Sequence, residues 1–318
     1  MLNIAVIGAG HLGEFHIKLL KSSKLFNLIG FFDPNKSRVK EIIDKYNINF
    51  FEINKISSLV DAVIISTPTS SHYETAVKFL NNKKHVFIEK PISSSIEQAN
   101  KLIEIKKSNK LIGQVGHVER FNSAFLNIKN ALNPMFIESH RLSSYPSRGT
   151  DVSVVLDLMI HDIDIVLSLV DSKITNISAN GTKIISSSPD IANARIEFEN
   201  GCVANLTSSR LSLKKMRKMR VFQTDSYISL DFDSGSSEII KIKNFDGKNK
   251  YAMTIHDSEG VEKEIQIENV KNEKINSIEE EHKNFYYSII NKEDPIVSFE
   301  RGRNALELAI KILKIIEN

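Results

Sequence analysis

Lys90 closes the run His85-Val86-Phe87-Ile88-Glu89-Lys90-Pro91, in which an apolar strand ends abruptly in an acid, an amine and a proline. Parallel sheets bind their ligands at the carboxyl ends of the strands, so an amine at this place faces a ligand. Its ammonium can hydrogen-bond a reacting oxygen and favour negative charge building there. A second set of reactive groups, Asp157, His161 and Asp164, recurs at intervals of four and three along the apolar stretch 152–170. On a helix these three share one face. Imidazole titrates near neutrality, which makes His161 a candidate proton acceptor and Asp157 a candidate for orienting it. The stripe is equally open to a structural reading, because a buried acid and a buried imidazole can simply satisfy each other.

The elements that must position these groups begin with a glycine-rich turn. Residues 2–7 form an apolar strand, and Gly8-Ala9-Gly10-His11-Leu12-Gly13 leads from it into a helix predicted over 14–20. The first glycine permits a tight turn, the second lets the backbone approach a pyrophosphate, and the third lets helix pack on strand. Turn chemistry alone could also explain three glycines. Strand 28–32, however, ends at Asp33, 20 residues beyond Gly13, the place of a carboxylate that binds adenosine ribose hydroxyls. Such an acid repels a 2′-phosphate and favours NAD over NADP, although Lys36 and Arg38 follow closely and can swing toward a phosphate.

The alternation continues with a helix over 37–46, a short strand over 49–52, and strand 62–66 running into Thr67-Pro68-Thr69-Ser70-Ser71-His72. A helix over 73–81, the Lys90 strand, a helix over 96–108 and a sixth strand over 111–115 complete it. Continuous apolar strands between helices predict a doubly wound parallel sheet, here a dinucleotide-binding domain over 1–120. Beyond it come helix 122–132, extended segment 136–142, the acid-bearing helix 152–170 and strands over 174–179, 191–198, 202–210, 217–223, 227–232, 239–242 and 262–267. Such a run predicts an open, mostly antiparallel sheet with helices on one face, in a second domain over 121–318. Helices over 277–291 and 300–317 end the chain, and the last can return to the first domain.

With 318 residues, 41% of them hydrophobic, the chain can fill two cores. A net charge of +3 gives no reason to expect a nucleic-acid or membrane partner. The single cysteine, Cys202, excludes an intramolecular disulfide, fits a reducing cytoplasm and reads as a small buried residue. Entry into the first strand at residue 2 leaves no room for a secretory signal, and the acids within 152–170 make it a poor membrane span. No histidine or acid cluster has metal-ligand spacing, and neither a nucleophile elbow nor a Walker loop is present.

Taken together, the glycine loop with Asp33, Thr67-Pro68 with His72, Glu89-Lys90-Pro91, and Asp157-Leu158-Met159-Ile160-His161 followed by Asp164 resemble the Gfo/Idh/MocA oxidoreductases. The likeness spans essentially the whole chain. It implies a Rossmann domain, a C-terminal open-faced sheet and an active site where Lys90, Asp157 and His161 meet a nicotinamide. It also implies cofactor contacts from Gly8, Gly10, His11, Leu12, Gly13, Asp33, Arg38, Thr67, Pro68, His72 and Glu89, and a Pro91 often cis. Met159 departs from the glycine common at that place and could narrow a substrate pocket. In such an enzyme His161 takes a hydroxyl proton and Lys90 steadies the oxygen, with exchange of the two roles open. A non-catalytic NAD-binding regulator would have no use for this set.

The phrase Gly116-His117-Val118-Glu119-Arg120-Phe121-Asn122 resembles the branch that oxidises C3 of UDP-N-acetylglucosamine and its relatives. Together with Asp157 and His161, His117, Arg120 and Asn122 are thus candidate substrate contacts, while a salt bridge for Arg120 and a helix cap for Asn122 are the structural alternatives. Inositol or a free monosaccharide is the alternative substrate. Arg210, Lys214, Lys215, Arg217, Lys218 and Arg220 could neutralise a diphosphate or line a solvated sheet edge. An open sheet face, often covered by a second subunit in this family, predicts a homodimer or homotetramer.

Overall fold

The computed structural model describes residues 1–145, 152–249, 251–270 and 275–317. Its chain divides into two compact units, one of Met1–Phe121 with Asn276–Glu307, the other of Asn122–Ile275 with Leu308–Asn318. The boundary near residue 121 thus ends the first stretch of unit one, but the chain later returns to that unit, which a reading by sequence order assigned to the second domain.

Unit one runs β1 (Leu2–Ile7), α1 (His11–Lys21), β2 (Phe26–Phe32), α2 (Lys36–Tyr46), α3 (Ile53–Ile56), β3 (Ala62–Ile65), α4 (His72–Asn81), β4 (His85–Glu89), α5 (Ile96–Ser108) and β5 (Gly113–Gly116). The five strands pair in parallel in the order β2-β1-β3-β4-β5. Strands buried on both faces need uniformly apolar sequences, and Ala62-Val63-Ile64-Ile65 is fully buried. The expected strand over 49–52 is one bridge, Phe31 to Phe50, because the chain bends at once into α3. The Lys90 strand is therefore the fourth of five. Asn35 caps α2 and Ser95 caps α5 by accepting backbone N–H groups of the first turn. Helix α8 (Ser277–Asn291), capped by Asn276, returns to this unit, where Phe285 joins a core with Phe26 and Phe87.

Unit two is built on a nine-stranded sheet in the order β13-β14-β12-β11-β10-β6-β9-β8-β7. Its strands are β6 (Phe136–Leu142), β7 (Ile174–Thr182), β8 (Ile191–Phe198), β9 (Val203–Ser209), β10 (Met216–Gln223), β11 (Ser226–Asp231), β12 (Ser236–Asn244), β13 (Met253–His256) and β14 (Glu262–Val270). Every pair is antiparallel except β6 with β9. β13 was not expected from the sequence. Helix 122–132 shrinks to α6 (Ser123–Leu126) and a turn at Lys129–Ala131, since Asn127, Asn130 and the Asn133-Pro134 pair favour caps and turns over helix. The acid-bearing helix begins as a π-helical turn, Val155–Met159, before α7 (Ile160–Leu169). Helix α9 (Phe299–Glu317) contributes to unit one up to Glu307 and to unit two from Leu308.

Arg217, Lys218 and Arg220 of the cationic run lie on β10, in the middle of the sheet between β11 and β6 and so not on a sheet edge, while Lys214 and Lys215 precede the strand. Arg210 leaves the run altogether. It is buried, its Nε 2.8 Å from Asp190 Oδ1 and its NH1 2.7 Å from the Val152 carbonyl. Burial alone would raise the Asp190 pKa, but N–H groups of Ile184, Ile185 and Ser186 hold it well below the carboxylate range. Cys202 is buried, as expected, and burial pushes its thiol pKa up.

Candidate active site

In unit one the motif residues gather at the carboxyl ends of β1 to β4, because a parallel sheet aligns those ends along one edge. Gly8 has φ +90°, and a Cβ there would stand 2.8 Å from the Ser66 and Thr67 backbone. At Gly13 a Cβ would sit 1.9 Å from the Gly8 carbonyl, so only glycine lets α1 start this close to β1. Gly10, between them, faces open space with nothing within 4 Å of its Cβ position. It also begins α1 without a side-chain cap, leaving His11, Leu12 and the rest of the first turn to present backbone N–H groups. Thr67 Oγ1 is buried without a protein hydrogen-bond partner. Open glycine backbone, an uncapped helix start and an unsatisfied hydroxyl together fit a dinucleotide whose pyrophosphate rests at α1.

Asp33 stands just past β2, its Oδ2 accepting the Ala9 N–H at 2.7 Å and its Oδ1 the Asn35 N–H at 2.8 Å. The carboxylate is thus fixed beside the loop. Arg38 is latched rather than mobile: its Nε donates to the Ala9 carbonyl at 2.6 Å, and its other nitrogens pair with Glu14 and with Glu41 at 2.6 Å. A 2′-phosphate would have to compete with both acids. Lys45 foremost, then Arg38, holds the Glu14 pKa down to about 2, so this lock between α1 and α2 stays charged at any ordinary pH.

His72 staples two loops, one ring nitrogen 2.8 Å from the Thr67 carbonyl behind Pro68 and the other 2.8 Å from the Pro91 carbonyl. Burial lowers its pKa. Lys90 follows β4 directly, half-exposed, and the Lys90-Pro91 peptide is cis, as the family resemblance implied. Glu89 is buried, and its Oε2 accepts the Lys90 N–H at 3.3 Å. Past β5, His117 and Arg120 are buried on the segment that ends in the short turn Val118–Phe121.

In unit two Asn122 takes the structural role considered for it. Its Oδ1 caps α6 through the Ala124 N–H at 3.0 Å, and its Nδ2 donates to the Phe232 carbonyl at 2.9 Å. Both ends of the amide are engaged, which argues against a sugar contact. Asp157 lies within the π turn and His161 in the first turn of α7, both half-exposed, while Asp164 is buried. The wider π turn alters the single-face stripe drawn for a regular helix, and such turns are frequent at functional sites. Met159 is fully buried and so fills packing space.

Sequence reasoning missed the residue that holds the start of α7. Arg141 on β6 meets Asp162 in a buried two-pronged pair, Nε to Oδ2 at 3.0 Å and NH2 to Oδ1 at 2.8 Å. Asp162 adjoins His161, so the fork sets the start of α7 against the sheet. The alternation of β6 carried the signal: Arg141 shares parity with buried Ile137 and Ser139, and a buried guanidinium needs an acid. Among the described residues no three His, Cys, Asp or Glu side chains form a metal-binding group. No described helix is long and apolar enough to cross a membrane.

Residues 2–117 match the model of an oxidoreductase family with an NAD-binding Rossmann fold, and residues 110–229 match the GFO/IDH/MocA C-terminal domain. The chain is 35% identical over 234 residues to a UDP-N-acetylglucosamine 3-dehydrogenase of Acidithiobacillus ferrooxidans, covering 73% of this chain and 74% of that one. It is 31% identical over 232 residues to a scyllo-inositol 2-dehydrogenase (NAD(+)) of Bacillus subtilis, covering 65% and 67%. A solved structure of UDP-N-acetylglucosamine 3-dehydrogenase from Acidithiobacillus ferrooxidans superposes with a TM-score of 0.89 at 29% identity, covering 99% of this chain and 98% of that one.

Proposed function

Because the chain belongs to the Gfo/Idh/MocA oxidoreductases, NAD-binding dehydrogenases of sugars and polyols, we propose that it oxidises the C3 hydroxyl of a UDP-linked N-acetylhexosamine to the 3-keto sugar. The likeness over nearly the full chain to a UDP-N-acetylglucosamine 3-dehydrogenase carries the choice of substrate. The cluster at the carboxyl edge of the parallel sheet supports the chemistry.

The loop of Gly8, Gly10 and Gly13 with Asp33 would hold NAD, which supplies the hydride acceptor when bound. His161 takes the proton from the hydroxyl, since a neutral imidazole can accept it near neutral pH. Lys90 hydrogen-bonds the reacting oxygen and stabilises the charge that grows there. Asp157 orients His161 or holds a neighbouring hydroxyl. Among the proposed sugar-binding residues, Arg120 is the one whose planar fork suits a phosphate or carboxylate.

Inositol as substrate is the second reading, favoured by the 31% identity to the scyllo-inositol enzyme. A panel of UDP-sugars, free sugars and inositols, followed by NADH absorbance and mass spectrometry of products, decides between them. Oxidation of UDP-N-acetylglucosamine is expected; turnover of inositol or glucose with every UDP-sugar inert overturns the substrate and leaves the dehydrogenase. A single cysteine, buried and free, is in keeping with a reducing cytoplasm, and we further expect a homodimer or homotetramer.

A further inference from the structure

A string of three buried ionisable side chains stands behind Lys90, and the chemistry above does not use it. His16 on α1 places Nε2 2.8 Å from Glu89 Oε1 and Nδ1 2.8 Å from Nε2 of His282 on α8. All three belong to unit one and are buried. Their surroundings are aromatic: the edge of Phe87 lies against both rings, with centroids 5.5 Å from His16 and 6.5 Å from His282, and Phe285 packs on Phe87 at 5.9 Å. Polar atoms in such a place must be satisfied by one another.

His16 Nε2 donates to the Glu89 carboxylate, which accepts. Its Nδ1 faces Nε2 of His282, and one proton lies between these two nitrogens. Burial holds the His282 pKa well below the ordinary imidazole range. The string therefore runs without a break from α8 through α1 to the residue before Lys90.

At its far end the carboxylate is confined. Glu89 Oε2 accepts the Lys90 N–H, and a Cβ at Gly116 would stand 2.8 Å from the same oxygen, so the acid lies flat against the backbone of β5. Nearby ionisable groups are His72, which senses both Glu89 and Lys90, Glu281 beside His282, and Glu119 and Arg120 on the turn against which α8 packs.

We propose that His16 and His282 are positioning residues for Lys90, fixing the rotamer of Glu89 and, through it, the peptide from which the lysine projects. This rests on the dehydrogenase reading and deepens it. Held in this way, Lys90 is the donor to the substrate oxygen, which leaves His161 as the proton acceptor.

Two variants separate positioning from mere packing. His282→Leu removes the partner of His16 Nδ1, whereas His282→Gln sets an amide, able to donate or accept, near the former Nε2. In assays with NAD and UDP-N-acetylglucosamine, His282→Leu is expected to lower kcat about tenfold, the effect of about 1.4 kcal/mol at the barrier. The acid limb of its kcat–pH profile should move and its KM for NAD should not. His282→Gln should restore kcat and the profile to near the parent values. An unchanged kcat and profile in His282→Leu, or an equal loss in His282→Gln, overturns the relay. Should His282→Leu fail to fold, nitrogen NMR of the unaltered protein labelled at histidine gives the answer: a scalar coupling across the hydrogen bond between His16 Nδ1 and His282 Nε2 supports the relay, and its absence overturns it. Lys90→Ala tells the two levels apart, since full activity there sinks the dehydrogenase assignment of the lysine and the relay with it. Loss of activity in Lys90→Ala beside a silent His282→Leu removes the relay alone.

Discussion

Lys90 and His161 are assigned to bond making and breaking, while the glycine loop and Asp33 are assigned to the cofactor, and mutation can separate these duties. Lys90→Ala and His161→Ala should each keep NAD affinity, by calorimetry, and lower turnover by about 10²–10⁴, the usual worth of a positioned acid or base. Unchanged turnover in both would remove the catalytic assignment. Asp33 should make NAD bind more tightly than NADP, and Asp33→Ala should narrow the difference; a parent protein that prefers NADP would contradict this, since Arg38 is latched to Glu14, Glu41 and the Ala9 carbonyl. The cofactor positions were legible in the sequence because they follow local spacing: Gly8 takes a positive φ at the turn, Gly13 is demanded by the Gly8 carbonyl within the same loop, and Asp33 comes at the end of the next strand. The Glu89–His16–His282 string was not legible, because His282 lies 266 residues from His16 and no local pattern reports that pairing.

Helices and strands divide along the same line. Ile96–Ser108, Ile191–Phe198 and Ser277–Asn291 appear at the limits the apolar pattern gave, since a single periodicity and a clear cap decide them. Residues 122–132 carried a helical pattern that asparagines broke, and the π turn at Val155–Met159 leaves no mark on a period of 3.6. That turn leads into α7, which the Arg141–Asp162 fork holds, with side chains only 4% and 2% exposed. Breaking the fork from one side strands a buried charge. Arg141→Met should therefore cost about 3–5 kcal/mol in urea unfolding, and Arg141→Met with Asp162→Leu should recover most of it. A single variant as stable as the parent would show that the pair does not hold α7.

For the molecule as a whole, stability should depend on pH through imidazoles that burial keeps neutral. Desolvation lowers the pKa of His72, His85 and His282 in the folded chain, so below the unfolded value of about 6.5 the unfolded state takes up more protons. Their contribution is present above that pH and is lost as pH falls through the folded values. Glu14, at about 2, stays ionised in this window. The thermal midpoint should drop from pH 7.5 to pH 5.5, and a flat or rising midpoint would contradict the sign. Self-association is expected through the sheet of unit two. Arg141 faces α7 through Asp162, so the residues of opposite parity on β6 face the other way, and the register continues their row across six strands as Val203, Phe136, Phe222, Tyr227, Ile240 and Ile267. Along it Phe136 meets Phe222 edge-to-face with centroids 6.0 Å apart, Phe222 stacks on Tyr227 at 5.4 Å, and Ile267 at its end is 58% exposed. Beside this apolar row lies a polar one, Glu138 with Arg220 and Ser229, which can set the angle of a facing copy. A twofold axis through such a face brings each row onto its own image, so one self-complementary surface suffices for a dimer. Light scattering at micromolar concentration should give a dimer or tetramer, and Tyr227→Lys with Ile267→Glu should give smaller particles; a monomeric parent would show that this face is not the subunit contact.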